Sequence, residues 1–263
     1  MALLTRSLRA SALSLVLHSI ALAAIGSFYL AFFSSMSDLL SEKSAMMQAF
    51  SPGMLKALGM EDLSQGANYA QAAFLGLLGL VLLVAACTGW AAAVSAGPEE
   101  TGELELTLAH AVTRRQVILE RTLALLLRVI VLGAVALATI AAFNQWGGLD
   151  IPWKNLPAGI VSWMGLGLLC ATAGIAAGAW TGRRVAAIGT GVGVAVVGYL
   201  LNAVGSQSPD YDVLLGVSPY AWAFRHTPLA NGWDGTGLAL LYGVSAVMLV
   251  IALVGITVRD IGR

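Results

Sequence analysis

The stretch GPEETGELELTLAHAVTRRQVILERT, residues 97–122, is a charged amphipathic insert in a chain that is otherwise mostly apolar. Five of the protein's fourteen carboxylates fall within Glu99–Glu120, beside Arg114, Arg115 and Arg121. Apolar runs long enough to cross a bilayer stand on both sides of it. The fold is therefore that of a membrane protein with one charged insert, and such an insert predicts a docking surface for a soluble partner.

The composition around the insert excludes a soluble globular domain. Of the 263 residues, 58% are hydrophobic and 11% are charged, and the mean hydropathy is +0.83. Because about 20 apolar residues span the hydrocarbon as a helix, six stretches qualify as spans, and the first is too long for a signal peptide. They are 10–33, 69–94, 122–143, 156–180, 185–204 and 237–258.

These six runs lack the period-two alternation of barrel strands. The predicted fold class is an all-α polytopic membrane protein, one transmembrane domain over residues 1–263 with six helices. The insert then becomes a segment, 97–121, between spans two and three. The longer connections on the opposite face are 34–68 and 205–236.

Orientation follows from the basic residues, which are more numerous on the cytoplasmic side of membrane proteins. Both termini inside the cell place nine cations in the cytoplasm: Arg6, Arg9, Arg114, Arg115, Arg121, Arg183, Arg184, Arg259 and Arg263. Only four fall on the other face: Lys43, Lys56, Lys154 and Arg225. The prediction is that both termini and the insert are cytoplasmic. The formal net charge of zero gives no support for nucleic-acid binding.

Two helix starts lie within the insert. Pro98 at a first helical position, with Glu99 and Glu100 in the first turn, suits the helix dipole. Leu104 and Leu108 would then share one face of a short helix. That helix is expected to end near residue 110.

The second start follows at once. Residues 113–116, Thr-Arg-Arg-Gln, have the form of a capping box, and Val112 with Val117 forms a hydrophobic staple. The third span would therefore begin about two turns before the bilayer. The segment is predicted to be a helix–elbow–helix, which is stiff enough to transmit a push.

The two connections on the other face show their own patterns. Residues 38–50 and 52–58 are expected to form short interfacial helices, with a substrate-gating role as the alternative. The last connection contains Pro209, Pro219, Pro228, Trp222 and Trp233. Because proline interrupts helices and tryptophan prefers the membrane interface, broken short helices at the headgroup level are predicted there.

Glycines dominate the region of spans four and five. Gly174, Gly178 and Gly182 recur at every fourth residue, a spacing that lets membrane helices approach closely. Residues 181–184, Thr-Gly-Arg-Arg, are a tight turn. The run Gly189–Gly193 superficially resembles a dinucleotide loop, but it lies inside an apolar run, where helix packing is the better explanation.

The chain lacks the sequence patterns of an enzyme. No phosphate-binding GxxxxGK[ST] motif occurs, and His18, His110 and His226 are too scattered for a metal site or a triad. Cys87 and Cys170 fall in apolar runs and are expected to act as small apolar residues. We therefore predict no catalytic, cofactor-binding or metal-binding residue.

Arg128 is the one charge clearly inside an apolar run. Such charges are costly and often functional. Either it snorkels to the interface or bonds a neighbouring helix, or it contacts substrate or a gate. No aspartate or glutamate lies inside the six runs, which argues against a proton- or sodium-coupled carrier.

Several blocks together resemble a known family, the permease subunits of type 2 ATP-binding-cassette exporters, in the branch associated with antibiotic and polyketide export. The blocks are LKALG (55–59), EDL (61–63), EETGELEL (99–106), LAH (108–110), VTRR (112–115), TGRR (181–184), SPY (218–220), PLANG (228–232) and RDI (259–261). They occur in order over nearly the whole chain. Two positions depart from the family, which often has proline where Ala111 stands and a small hydroxyl residue where Glu103 stands.

The resemblance implies a mechanism. Two six-span permeases, identical or paralogous, would pair in the inner membrane of a prokaryote, each resting on a separate cytoplasmic ATPase that alone binds ATP and magnesium. ATPase closure would push the insert and rock the bundles, moving a hydrophobic or amphiphilic substrate outward. The implied coupling residues are Glu99, Glu100, Thr101, Gly102, Glu103, Leu104, Glu105, Leu108, Arg114 and Arg115.

Two other functions remain open at this stage. A secondary carrier would transport under an ion gradient without ATP. A membrane scaffold or maturation factor would use the same ATPase but move no small molecule, and the sequence does not separate this function from the first.

Overall fold

The computed structural model of the chain describes residues 2–33, 65–97 and 113–258. These residues form helices and connecting turns, without a strand among them. The helices are α1 Ala2–Ala10, α2 Ala12–Ala31, α3 Gly66–Val94, α4 Arg114–Trp146, α5 Leu156–Thr181, α6 Arg184–Gly205, α7 Asp212–Gly216, α8 Pro219–Phe224, α9 Pro228–Asn231 and α10 Gly235–Val258. Single 3-10 turns occupy Trp153–Asn155 and Pro209–Tyr211.

Six of these helices, α2 to α6 and α10, are long and apolar enough to cross a membrane. The predicted all-α polytopic fold is confirmed, and each predicted span corresponds to a helix whose ends lie within a few residues, except that α4 begins eight residues before the predicted third span. The expected helices at 38–50 and 52–58 lie outside the described residues, as do residues 98–112 and 259–263.

The first span differs from the prediction in one respect. The chain turns at Ser11, so that a separate nine-residue helix, α1, precedes the spanning helix α2. Its sequence, ALLTRSLRA, spaces leucine and arginine as in an amphipathic helix. The sequence shows this pattern, but these residues also form the flank of the first apolar run, and no separate helix is predicted there.

The bundle has two distinct ends. At the insert end, α3 ends and α4 begins, and the α5–α6 turn lies beside them. At the opposite end, which we call the cap end, the Tyr69 hydroxyl donates to the Tyr29 carbonyl (2.8 Å), joining the start of α3 to the end of α2. Along the chain, the six spanning helices alternate in direction between the two ends.

α5 is the central helix of the bundle. The apolar segment of Trp153–Thr181 is 78% buried, against 17% for α2, 22% for α6 and 28% for α10. Glycines explain the close packing of α5, as their spacing predicted. A Cβ at Gly174 would lie 2.7 Å from the Ala187 carbonyl oxygen of α6, which only a residue without a side chain tolerates.

The predicted tight turn joins α5 to α6. Gly182 ends α5 in the left-handed region, with φ of 69°, and its N–H donates to the Gly178 carbonyl at 2.8 Å. Arg183 and Arg184 follow it and are exposed at the insert end.

Residues 206–234 contain the expected broken short helices, and together they form a cap. The cap packs against the bundle, and its predicted position at the headgroup level stays a prediction. Leu229 is fully buried, and the buried Ser218 hydroxyl donates to the Gly198 carbonyl of α6 at 2.6 Å. Trp233 is 56% exposed.

The cap rests on an irregular part of α3. Residues Ala70–Leu78 adopt π-helical geometry, which is rare and usually confined to a single turn. The Tyr220 hydroxyl of α8 donates to the Gly76 carbonyl of this segment at 3.3 Å, and the Gln71 amide donates to the Phe224 carbonyl at 3.2 Å. Burial raises the pKa of Tyr220, so the hydroxyl remains a donor.

Candidate functional site

The flanks of the insert show how its second helix begins. Thr113 is the N-cap of α4, and its hydroxyl accepts from the Gln116 N–H at 3.2 Å. This is one half of the predicted capping box. The Gln116 side chain donates instead to the Glu120 carboxylate (3.0 Å), one turn further along.

α4 begins well before the apolar run, as the cap pattern predicted. The 33-residue helix is about 50 Å long, longer than the roughly 30 Å hydrocarbon. Val117 and Ile118 are buried while Arg115 is exposed. α4 is therefore longer than a span needs to be, and its first turns have one face packed against the bundle.

The structure describes only part of the predicted coupling set. Arg115 is exposed at the start of α4, and the backbone of Arg114 lies in its first turn. The other eight residues lie outside the described part of the chain: Glu99, Glu100, Thr101, Gly102, Glu103, Leu104, Glu105 and Leu108. Their docking role stays a prediction, and its attachment points are Gly97 and Thr113.

The attachment point at Gly97 adjoins the α5–α6 turn. Arg184 Nε lies 3.9 Å from the position that a Cβ would occupy on Gly97. Both ends of the insert therefore emerge beside exposed arginines, Arg115 on one side and Arg183 with Arg184 on the other. A partner docked on the insert would meet this mixed-charge surface.

Arg128 is buried, with 1% of its surface exposed, so it does not snorkel to solvent. Its Nη2 donates to both the backbone oxygen (2.6 Å) and the hydroxyl (2.8 Å) of Ser7 in α1. Its guanidinium carbon lies 5.5 Å from the ring centroid of Trp90 in α3, a cation–π distance. Of the two sequence-based alternatives, the geometry shows helix–helix bonding, while a gating contact stays a prediction.

Sequence reasoning missed the partners of Arg128. Trp90 Nε1 donates to the Ser14 hydroxyl of α2 at 3.2 Å, and the His18 and Trp90 ring centroids are 5.8 Å apart. We call Ser7, Ser14, His18, Trp90 and Arg128 the arginine cluster. The only available signal was the presence of polar residues in apolar runs, and no local pattern pairs residues 121 positions apart.

A small-residue face runs along α3 on the side away from α5. Ala85, Gly89 and Ala93 recur at every fourth position and are all exposed. A Cβ on Gly89 would meet no atom of the described part of the chain within 4 Å. Exposed small residues at this spacing are typical of faces that a second membrane helix contacts.

A second small-residue face lies on α6, which packs beside α3, and two of its glycines have open space beside them. Gly191 is buried against the Cys170 carbonyl, which agrees with the expected packing role. Its neighbours Gly189 and Gly193, in contrast, have no atom of the described residues within 4 Å of a built Cβ. The packing prediction thus holds inside the chain for one glycine of the three.

Among the described residues, no group of three histidine, cysteine, aspartate or glutamate side chains could hold a metal. What the geometry offers is a six-span bundle with an insert held at one end. Comparison with protein families matches residues 1–209 to the ABC-2 family transporter proteins. The chain belongs to the ABC-2 transporter family. No curated protein is similar enough in sequence to be matched to it.

Family membership makes the chain a multi-pass ABC-2 type permease subunit, as the resemblance implied. ABC-2 permeases typically work with an ATPase subunit, which identifies the kind of partner. The match covers α1 to α6, and so includes the insert, the arginine cluster and both small-residue faces.

Proposed function

We propose that this ABC-2 permease is the membrane subunit of an exporter driven by a separate cytoplasmic ATPase, which supplies the ATP and magnesium chemistry. The observation that carries the proposal is the family match over residues 1–209 together with an acidic insert attached at one end of the bundle. Both termini and the insert are cytoplasmic in this proposal, and the membrane is the inner membrane of a prokaryote.

The ATPase docks on residues 97–121. The carboxylates of Glu99 and Glu103 face basic groups on the ATPase, and Leu104 with Leu108 enters its groove. Support comes from α4, whose capped start carries the docking segment on a helix packed against the bundle. Because α4 is continuous through the membrane, displacement at the insert moves the whole helix.

A second permease copy or a paralogue completes the pathway. It packs against the small-residue faces of α3 and α6, where no residue of the described part of the chain fills the space beside the open glycines. A hydrophobic or amphiphilic substrate of the antibiotic or polyketide type moves outward between the two bundles by alternating access.

Reversing two charges in the insert tests ATPase docking. Glu99→Lys/Glu103→Lys should insert normally, because the proposal places these carboxylates in water, where charged side chains contribute little to stability. Like-charge contacts with the ATPase should weaken association roughly tenfold or more, equivalent to about 1.4 kcal/mol. Co-purification and titration of the ATPase onto detergent-extracted permease measure the effect.

The matched control is Glu61→Lys/Asp62→Lys, which makes the same change of charge in segment 34–68 on the other face. It should bind the ATPase as the unaltered permease does. Equal ATPase binding by both double variants would exclude the insert as the docking site, and a permease that never binds its ATPase would overturn the proposed function.

A further inference from the structure

The arginine cluster joins four helices at one depth. A buried guanidinium costs several kcal/mol unless it is paired and hydrogen-bonded. In the described part of the chain, Nη2 of Arg128 makes the hydrogen bonds, while its buried Nε has no hydrogen-bond partner. Arg128 on α4 is held by Ser7 on α1 through two bonds of 2.6 and 2.8 Å, and by the Trp90 ring on α3. Arg128 is the only deeply buried cation in the described part of the chain. Its strongest contacts join helices that are distant in sequence.

The cluster extends to the fourth helix through Trp90. The indole N–H donates to the Ser14 hydroxyl of α2, and His18 Nδ1 lies 2.7 Å from the Ser14 carbonyl oxygen one turn before it. Trp90 is 4% exposed, so its ring is enclosed by these neighbours. Together, α1 and α2 are fixed to α3 and α4 by polar contacts that lipid cannot replace.

The position of the cluster relative to the insert suggests what it does. Trp90 lies one turn before the end of α3 at Val94, and Arg128 lies about 21 Å along α4 from its start at Arg114. These are the two helices that bracket the insert. Any displacement of the insert therefore reaches the cluster from both sides.

We infer that Arg128 is a positioning residue for coupling. It fixes α1 and α2 to the α3–α4 pair, so that a push on the insert moves all four helices as one body. The inference rests on the proposed function, and it goes beyond that function by assigning transmission to this contact, away from both the docking surface and any substrate. A planar guanidinium suits the role, since one nitrogen bonds two acceptors of Ser7 while the charge lies over an indole face.

The first test measures coupling in the purified permease–ATPase complex in lipid nanodiscs. We expect Arg128→Gln to lose permease-dependent stimulation of ATP turnover per complex, with the KM for ATP unchanged because the nucleotide site is in the partner. Arg128→Lys should restore part of the stimulation. A merely structural role would lower the yield of complex and leave turnover per complex intact.

Thr139→Val is the matched control on the same helix. Thr139 is buried, and its hydroxyl donates only to the Val135 carbonyl (2.9 Å) of its own helix. The Thr139 variant should keep the turnover and KM of the unaltered complex.

The second test asks, in the absence of the ATPase, whether Arg128 fixes α1 to α4. Spin labels at Arg9→Cys on α1 and Leu123→Cys on α4, both exposed positions, should give a narrow distance distribution. Arg128→Gln should broaden it and Thr139→Val should not. Should Arg128→Gln fail to fold, Ser7→Ala removes one acceptor while keeping the carbonyl, and it should lower turnover and broaden the distribution to a smaller extent.

The outcomes distinguish a failure of the proposed function from a failure of the coupling role of Arg128. A permease that does not bind its ATPase would refute the proposed function, yet the label distances would still test whether Arg128 fixes α1 to α4. Binding with unchanged turnover in Arg128→Gln, or in Ser7→Ala where the former does not fold, would overturn the coupling role. Unchanged label distances would show that Arg128 does not fix α1 to α4.

Discussion

At the scale of single residues, the buried asparagine before α5 shows how the cap is held. Asn155 is 5% exposed, and its amide donates to the carbonyls of Leu229 (3.3 Å) and Ala230 (2.6 Å) at the end of α9. These carbonyls belong to a four-residue helix, which cannot satisfy its last acceptors internally. Asn155 therefore supplies the bonds that let the chain turn toward α10 inside the protein.

Replacing the amide side chain of Asn155 should lower the stability of the protein. Asn155→Leu leaves the Leu229 and Ala230 carbonyls without this donor, and we expect a loss of about 1–3 kcal/mol. The thermal unfolding midpoint in detergent measures the change.

Asn231→Leu is the comparison, because Asn231 also donates to a backbone carbonyl and a hydroxyl but is exposed. Water can replace its bonds, so the expected change is within about 0.5 kcal/mol. Equal midpoints for the two variants would contradict the assigned role of Asn155.

At the scale of elements, the π-helical segment of α3 and the cap helix α8 fit each other at Gly76. A Cβ there would lie 2.7 Å from the Tyr220 hydroxyl and 3.0 Å from the Gln71 carbonyl oxygen. Gly76→Ala should therefore destabilise the protein by about 1–3 kcal/mol, as other overpacked sites do. Tyr220→Phe should cost about 1 kcal/mol for the lost hydrogen bond.

The two changes should not add, because Tyr220→Phe removes the atom that the new methyl group meets. A double-mutant cycle on unfolding midpoints measures this coupling. Additive losses would mean that α8 does not contact Gly76 as described. Gly243→Ala in α10 is the control, since a Cβ there meets no atom within 4 Å.

A helix end could be predicted from the sequence where the residues that determine it lie within a few positions of it. Thr113 at the start of α4 and Gly182 at the end of α5 are capping residues whose type follows from backbone geometry a few residues away. The contacts of Arg128 with Ser7, and of Tyr220 with Gly76, join residues 121 and 144 positions apart. Nothing local in the sequence indicates which polar residues of different helices will meet.

The candidate site divides in the same way. The charge and cap pattern located the insert and the start of α4, because both are consecutive in the chain. Helix α1 was missed because hydrophobicity averaged over the flank of a span hides a nine-residue amphipathic helix. The open glycines of α6 were assigned only to packing, since spacing alone does not tell which protein supplies the neighbour.

At the scale of the whole molecule, the exposed faces of the bundle indicate where the proposed second permease would pack. In a membrane, lipid covers apolar side chains as well as protein does, so exposed valines and leucines identify no partner. Open glycines are different, because they leave a groove that a facing helix backbone can enter. Gly189 and Gly193 of α6 and Gly89 of α3 are such positions.

Filling the groove should therefore separate the permeases without unfolding them. Gly189→Leu/Gly193→Leu places two bulky side chains where residues 2–33, 65–97 and 113–258 have no atom within 4 Å of a built Cβ. We expect an unchanged unfolding midpoint and a loss of permease–permease association, measured by chemical crosslinking and by subunit counting in single nanodiscs. Gly243→Leu adds a similar side chain to an open glycine of α10 and should leave association intact. If the α6 variant stays paired while the α10 variant comes apart, the dimer forms through α10, and the substrate path must be placed along that helix instead.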